Sequence, residues 1–248
     1  MRINAKNGSV NETMILKTLD NHHYKDLSNK WKRHISRMFK EIKDDDLIKV
    51  NYYQYKDAKP DLEIIVNERK VYLSIKSGHS PSMHYEPIFT FTRYLREIGV
   101  PSRIIGIIYF YHYGINRRKG INEIPLSRDE ILAKYPSLIK ECNDYFASHE
   151  EIIIELIYRA IIKGRFKRDL IDYFYYGNPA KGYLLSISDI IKLITNKKYG
   201  QLNTLCFGPL TYVPCSRDPK SEKHNNLKIN WPILCAFFYD ESFMKIYG

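Results

Sequence analysis

The chain has 248 residues, 44% of them hydrophobic, and a formal net charge of +11. That is enough apolar material for one large core or two closely packed lobes, and too much for a disordered chain. No apolar run approaches the roughly 20 residues of a spanning helix. The polar stretch Met1 to Val10 also lacks a secretion-signal core, so a cytoplasmic protein away from the membrane is expected.

Val10 to Leu19 and Leu27 to Ile42 carry apolar residues at helical spacing. In the second, Leu27, Trp31, Ile35, Met38, Phe39 and Ile42 form one stripe with basic residues on the other side. Leu47 to Tyr55 has the β-branched and aromatic content of a strand. Two short apolar strands follow, 61–66 and 71–76, joined by the polar turn Asn67 to Lys70. After a polar stretch through Glu86, Pro87 to Ile98 reads as a helix, and Ile104 to Tyr111 fits either a buried strand or a short helix. Leu126 to Phe146 and Glu150 to Lys163 look helical, the first opening on the capping-box pair Ser127 and Glu130. Then come a strand near Tyr183 to Ser186, a helix from Ser188 to Asn196 and strands near 203–213. Lys228 to Trp231 is a further pairing segment before a last helix at about 232–246. Interleaved short strands and helices give an α/β (α+β) architecture.

The excess of cations favours a polyanionic partner, since basic surface attracts phosphate backbones whatever their sequence. Three clusters stand out: Lys32, Arg33 and Arg37 on the second helix; Arg117, Arg118 and Lys119; and Arg165, Lys167 and Arg168. Tyrosines recur at 52, 53 and 55, at 109, 111 and 113, and at 173, 175 and 176. They suit either half-buried strands or stacking on unpaired bases. The four cysteines lack CxxC spacing, so Cys206, Cys215 and Cys235 with His224 read better as buried thiols and a separate histidine than as a zinc set.

Alternate side chains of a strand share a face, which groups Ser74 with Lys76 and Asp61 with Glu63. A four-residue turn would set Asp61 opposite Lys76. Such a pair is either a surface ion pair or the start of a metal-assisted phosphodiester-cleaving centre. Mg²⁺ takes hard oxygen ligands and keeps several waters, so one or two carboxylates can hold it. In the polar stretch that follows, Gly78 permits a sharp turn whose amides could face a phosphate. His84 and Glu86 are either members of the same site or a surface histidine and a helix cap.

Pro60-Asp61 followed by Ser74-Ile75-Lys76 resembles the PD-(D/E)xK nuclease superfamily, in a PD…SxK variant with serine at the second acid's position. The resemblance implies a restriction-endonuclease-like αβββαβ core over roughly residues 9–115, with a mixed central sheet flanked by helices. On that basis residues 1–120 form the nuclease core. Residues 121–248 form a helical insertion and a C-terminal αβ extension packed on it as one compact unit. Residue by residue, Asp61 resembles the metal-ligating aspartate and Lys76 the catalytic lysine, with the Ile75 carbonyl as a further metal ligand. Family members with a replaced acid often use a glutamate of the first helix. Here Glu12 fits that role, or else complements the dipole of its helix. The implied activity is restriction-type, Mg²⁺-dependent cleavage of double-stranded DNA by a homodimer. The alternatives are a nucleic-acid-binding module that keeps the fold with weak or no catalysis, and an adaptor whose basic surface meets an acidic partner.

Overall fold

The computed structural model describes residues 3–55, 58–77, 80–115, 125–164, 170–195 and 204–248. The chain divides into two units: residues 1–81, 161–190 and 233–248 form unit 1, and residues 82–160 and 191–232 form unit 2. Among the described residues no helix is long and apolar enough to cross a membrane.

Unit 1 is built on a six-stranded mixed sheet in the order β1-β2-β3-β4-β6-β7. Its strands are β1 (His22–His23), β2 (Leu47–Tyr52), β3 (Leu62–Val66), β4 (Arg69–Lys76), β6 (Tyr173–Gly177) and β7 (Gly182–Ser186). One sheet face, carrying Ile48, Val50, Leu62, Ile64, Leu73, Ile75 and Leu184, packs on α1 (Ile3–Leu19) and α2 (Asn29–Met38). Ile15 and Leu19 of α1 and Trp31 and Ile35 of α2 complete that core. Each large apolar side chain so buried contributes about 1.5–3 kcal/mol. Ser28 caps α2 by accepting the Trp31 amide.

The opposite face divides in two. Over β6 and β7 it is covered by the C-terminal helices α9 (Ile233–Phe237) and α10 (Glu241–Tyr247). There the Phe243 ring meets Tyr183 edge-on at 5.0 Å and stacks on Phe237 at 4.1 Å. Over β2, β3 and β4 the same face bears Asn51, Tyr53, Asp61, Glu63, Tyr72 and Ser74.

Two features of this sheet differ from the sequence-based expectation. The β3–β4 hairpin closes through two residues, Asn67 (φ 48°) and Glu68 (φ 65°), with Val66 pairing Arg69. Two left-handed residues make a type I′ turn, whose twist matches that of the strands. The register therefore slips by two from the expected one, and Asp61 faces Ser74 instead of Lys76, its amide bonding the Leu73 carbonyl at 2.8 Å. A slip of two keeps every side chain on its face, so the expected grouping survives. The second difference is the strand that pairs β4 in parallel. It is β6, with Leu73 opposite Tyr173 and Lys76 opposite Tyr176, so the sheet is not completed within residues 9–115. The division into units thus does not fall near residue 120. A parallel partner needs a long crossover, and this one contains residues 82–160 of unit 2.

Unit 2 holds a four-stranded antiparallel sheet in the order β5-β10-β9-β8. Its strands are β5 (Ser82–Pro87), β8 (Cys206–Phe207), β9 (Leu210–Pro214) and β10 (Asn226–Asn230). Its helices are α3 (Ile88–Glu97), α4 (Ser102–Tyr113), α5 (Arg128–Lys134), α6 (Pro136–Ala147) and α7 (Glu150–Ile157). The ambiguous run 104–111 is helical. The predicted helix over 126–146 is two helices, because Pro136 cannot donate a backbone hydrogen bond to continue the first. The expected capping box is present, Ser127 and Glu130 each accepting the other's amide. The segment before α3 is a strand and not a helix cap, with Leu227 of β10 opposite Glu86. α8 (Ile187–Thr195) follows β7.

Candidate active site

One edge of the unit 1 sheet gathers the strand ends that matter: Tyr52 ends β2, Asp61 precedes β3, Lys76 ends β4 and Gly177 ends β6. The first helix is fastened to this edge on both sides of Glu12. Asn11, buried, donates to the Gly177 carbonyl at 2.7 Å, and the Thr13 hydroxyl bonds the Tyr52 hydroxyl at 2.6 Å. These side chains hold Glu12 above the strand ends, a placement that an acid merely complementing a helix dipole does not require.

Asp61 is held by β4. Its Oδ2 accepts the Ile75 amide at 2.6 Å and the Ser74 hydroxyl at 3.1 Å. Its Oδ1 accepts no bond from a described residue. Burial pushes the carboxyl above the usual aspartate range, against the opposing pull of the Ile75 amide, Lys76, Ser74 and Lys59. Glu12 is shifted the same way, first by burial and then by the negative charge of Asp61, with Lys76 acting in the opposite sense. Glu12, Asp61 and Lys76 are thus electrostatic neighbours. Lys76 acts on Asp61 through space, without a direct ion pair between them. Two carboxylates both pushed up, with one open oxygen on the better-held one, are a donor set that a hard divalent cation would satisfy. Among the described residues no group of three or more His, Cys, Asp or Glu side chains could hold a metal ion, so backbone carbonyl and water would have to complete any coordination.

The other proposed members lie elsewhere. Glu63 shares Asp61's face but is paired with Lys70 at 3.1 Å. Glu86 and His84 belong to unit 2 and are buried there: His84 Nε2 lies 2.9 Å from Glu86 Oε1, and Arg159 grips both Glu86 oxygens at 2.8 and 2.6 Å. Burial alone would raise the Glu86 pKa, but the hydrogen bonds from His84 and Arg159 outweigh it and hold the carboxyl low. Glu86 is the anchor of a buried ion pair, and Arg159 is a partner the sequence did not single out. It sits in a π-helical turn, Tyr158–Ile162, whose spacing is invisible to 3.6-residue periodicity.

The basic face of α2 is only partly available to a ligand. Arg33 is exposed and Lys32 half-buried. Arg37 is used within unit 1, donating to the Leu184 carbonyl at 3.0 Å and to Asp189 at 3.1 Å. Lys30 also turns inward, to the Tyr175 hydroxyl at 2.8 Å, and burial, helped by the charge of Arg33, lowers it to about 8. Gly78 and the clusters Arg117, Arg118 and Lys119, and Arg165, Lys167 and Arg168, lie outside the described residues. All four cysteines are free thiols.

No family model matches this chain, and no curated protein matches it. Among solved structures it is similar to restriction endonuclease MspI in complex with its cognate DNA, with a TM-score of 0.57 and 14% identity. The match covers 91% of this chain and 89% of that one. At that identity the likeness speaks for the fold, which is restriction-endonuclease-like: a mixed sheet flanked by helices, as the sequence led one to expect.

Proposed function

We propose that the protein is a metal-dependent endonuclease that hydrolyses double-stranded DNA. The observation that carries this reading is the convergence of Glu12, from the first helix, on Asp61 and Lys76 at the ends of paired strands. The likeness to a restriction endonuclease solved with its cognate DNA supports it, as does the net charge of +11.

Asp61, through Oδ1, and Glu12 are the carboxylates that would hold Mg²⁺, with the Ile75 carbonyl as a third oxygen donor. When bound, the cation polarises the phosphate and lowers the pKa of water. Ser74 fixes the aspartate by donating to Oδ2, which leaves Oδ1 for the cation. Serine here supports the first carboxylate, and Glu12 takes the charge role of the missing second acid. Lys76 positions the attacking water and offsets the negative charge that develops on the phosphoryl oxygens. Cutting both strands takes two such centres, so a homodimer belongs to this reading.

The test is cleavage of duplex DNA with Mg²⁺ by the wild type and by Asp61→Ala and Lys76→Ala. Each variant should lose cleavage while retaining low-salt DNA binding. Cleavage that persists in both removes this site. The second reading, a binding module without strong catalysis, draws on Ser74 in the acid's place. It is the one to adopt if the wild type binds DNA but cuts nothing with Mg²⁺ or Mn²⁺.

A further inference from the structure

Beside Asp61, on the same sheet face, Tyr53 and Tyr72 flank the carboxylate's strand. Tyr53 lies directly across from Asp61, donating its amide to the Asp61 carbonyl at 3.0 Å. The next cross-strand row is Asn51, Glu63 and Tyr72. With Tyr55 and Lys70 these residues line a cavity of about 260 Å³ within unit 1. Its tyrosine rings stand edge-on: Tyr53 meets Tyr55 at 5.7 Å and 62°, and Tyr72 at 5.5 Å and 83°. The Tyr55 side chain is half exposed at 52%.

The cavity is smaller than the roughly 300–1,000 Å³ of drug-sized pockets, which suits one flat ring system. Its walls are rich in tyrosine rings, and every base has a π face that an aromatic side chain can stack on. Besides the tyrosine hydroxyls, its polar groups are the side-chain amides of Asn51 and Gln54 and an acceptor and a donor side by side in the Glu63–Lys70 pair. A flat heterocycle with hydrogen-bonding edges matches that lining better than an aliphatic or purely cationic ligand does. Asp61 and Glu63 are two residues apart on one strand, about 7 Å. That is about twice the roughly 3.4 Å that separates successive phosphates of one strand along the helix axis, so a phosphate at Asp61 brings a neighbouring nucleotide of the same strand to the cavity.

We infer that this cavity is a subsite for one unpaired nucleobase of the strand whose phosphodiester lies at Asp61. The strand's position rests on the nuclease reading above; the cavity and its chemistry do not. The base comes either from single-stranded substrate or from a duplex that has released one nucleotide from its stack.

The experiment measures binding in EDTA, where no cleavage occurs, of a labelled single strand of about 12 nucleotides and of an abasic sugar-phosphate strand of equal length. The wild type should prefer the base-bearing strand about 10-fold. Tyr55→Ala should reduce that preference to about twofold or less, and Tyr55→Phe, which keeps the ring, should restore it. Equal affinity of the wild type for the two strands overturns the subsite, as does an undiminished preference in Tyr55→Ala. Asp61→Ala separates the two proposals. If it abolishes cleavage while the wild type shows no base preference, the subsite falls and the nuclease stands. If the wild type never cleaves yet shows the Tyr55-dependent preference, the subsite stands alone. A 2-aminopurine in duplex DNA that brightens on binding identifies an extruded base as the source. An unchanged signal, with the single-strand preference intact, identifies single-stranded substrate.

Discussion

Ser74 donates its hydroxyl to Asp61 across the β3–β4 pair at 3.1 Å, on the same carboxylate oxygen that accepts the Ile75 amide. Serine at this position is therefore a hydrogen-bond donor that steadies the Asp61 carboxylate.

Ser74→Ala should destabilise the protein by about 1.5–3 kcal/mol in urea unfolding, the scale of one hydrogen bond to a charged group. Ser74→Asp should melt at a lower temperature than wild type in EDTA, because it sets two like charges together in a partly buried site. It should also show the larger rise in melting temperature when Mg²⁺ is added. A Ser74→Asp protein as stable as wild type without metal would mean that Asp61 does not face residue 74.

Asp61 and Glu12 both have raised pKa values in the folded state. Between the ordinary carboxylate range and these raised values the native state holds more protons than the unfolded one, so metal-free stability falls as pH rises through that window. Asp61→Asn and Glu12→Gln should accordingly raise the melting temperature at neutral pH in EDTA. Mg²⁺ competes with those same protons, so calorimetric titration should give weaker binding as pH is lowered through the window. Mg²⁺ affinity that is flat across it would exclude both carboxylates as ligands.

Glu68 has φ 65° in the β3–β4 turn, where a side chain is strained. Glu68→Gly should raise stability by about 1 kcal/mol, since a left-handed residue with a Cβ costs about 1–2 kcal/mol and glycine's extra unfolded-state entropy takes back part of that. No gain in the urea midpoint would argue against a type I′ turn at 67–68.

Arg159→Met should cost about 3–5 kcal/mol, because it leaves the Glu86 carboxylate buried without its bidentate partner. Adding Glu86→Leu should recover most of the loss. Since the Glu86 carboxyl is held low, its stabilising contribution is present above the ordinary glutamate range and is lost as pH falls through the depressed value. Denaturant curves of the single and double variants, taken at several pH values, test both statements.

The elements of the site were legible where local chemistry sets them. The apolar alternation of residues 61–66 and 71–76 announced two strands, and Ser127 and Glu130 announced a helix start. What escaped depended on distance along the chain. Tyr173 to Gly177 reads as alternating tyrosines, and nothing local says that these residues complete the sheet beside Lys76. Arg37 reads as a surface cation until β7 and Asp189 arrive to bind it. Glu86 reads as a candidate cap until Arg159, 73 residues away, neutralises it. Ser74 could be placed across from Asp61 only once the β3–β4 turn was known to span two residues, because that turn sets the register of the pair.

The parallel pairing of β4 with β6 has a cost in time. Asp172, which accepts the Tyr72 amide at the start of that pairing, lies 100 residues further along the chain. At translation rates of about 5–20 residues per second, the Lys76 strand waits about 5–20 s on the ribosome with one edge unpaired. An unpaired apolar edge invites association with other nascent chains. The window in which this protein is most exposed to aggregation therefore opens when β4 emerges and closes only when Tyr173 to Gly177 does.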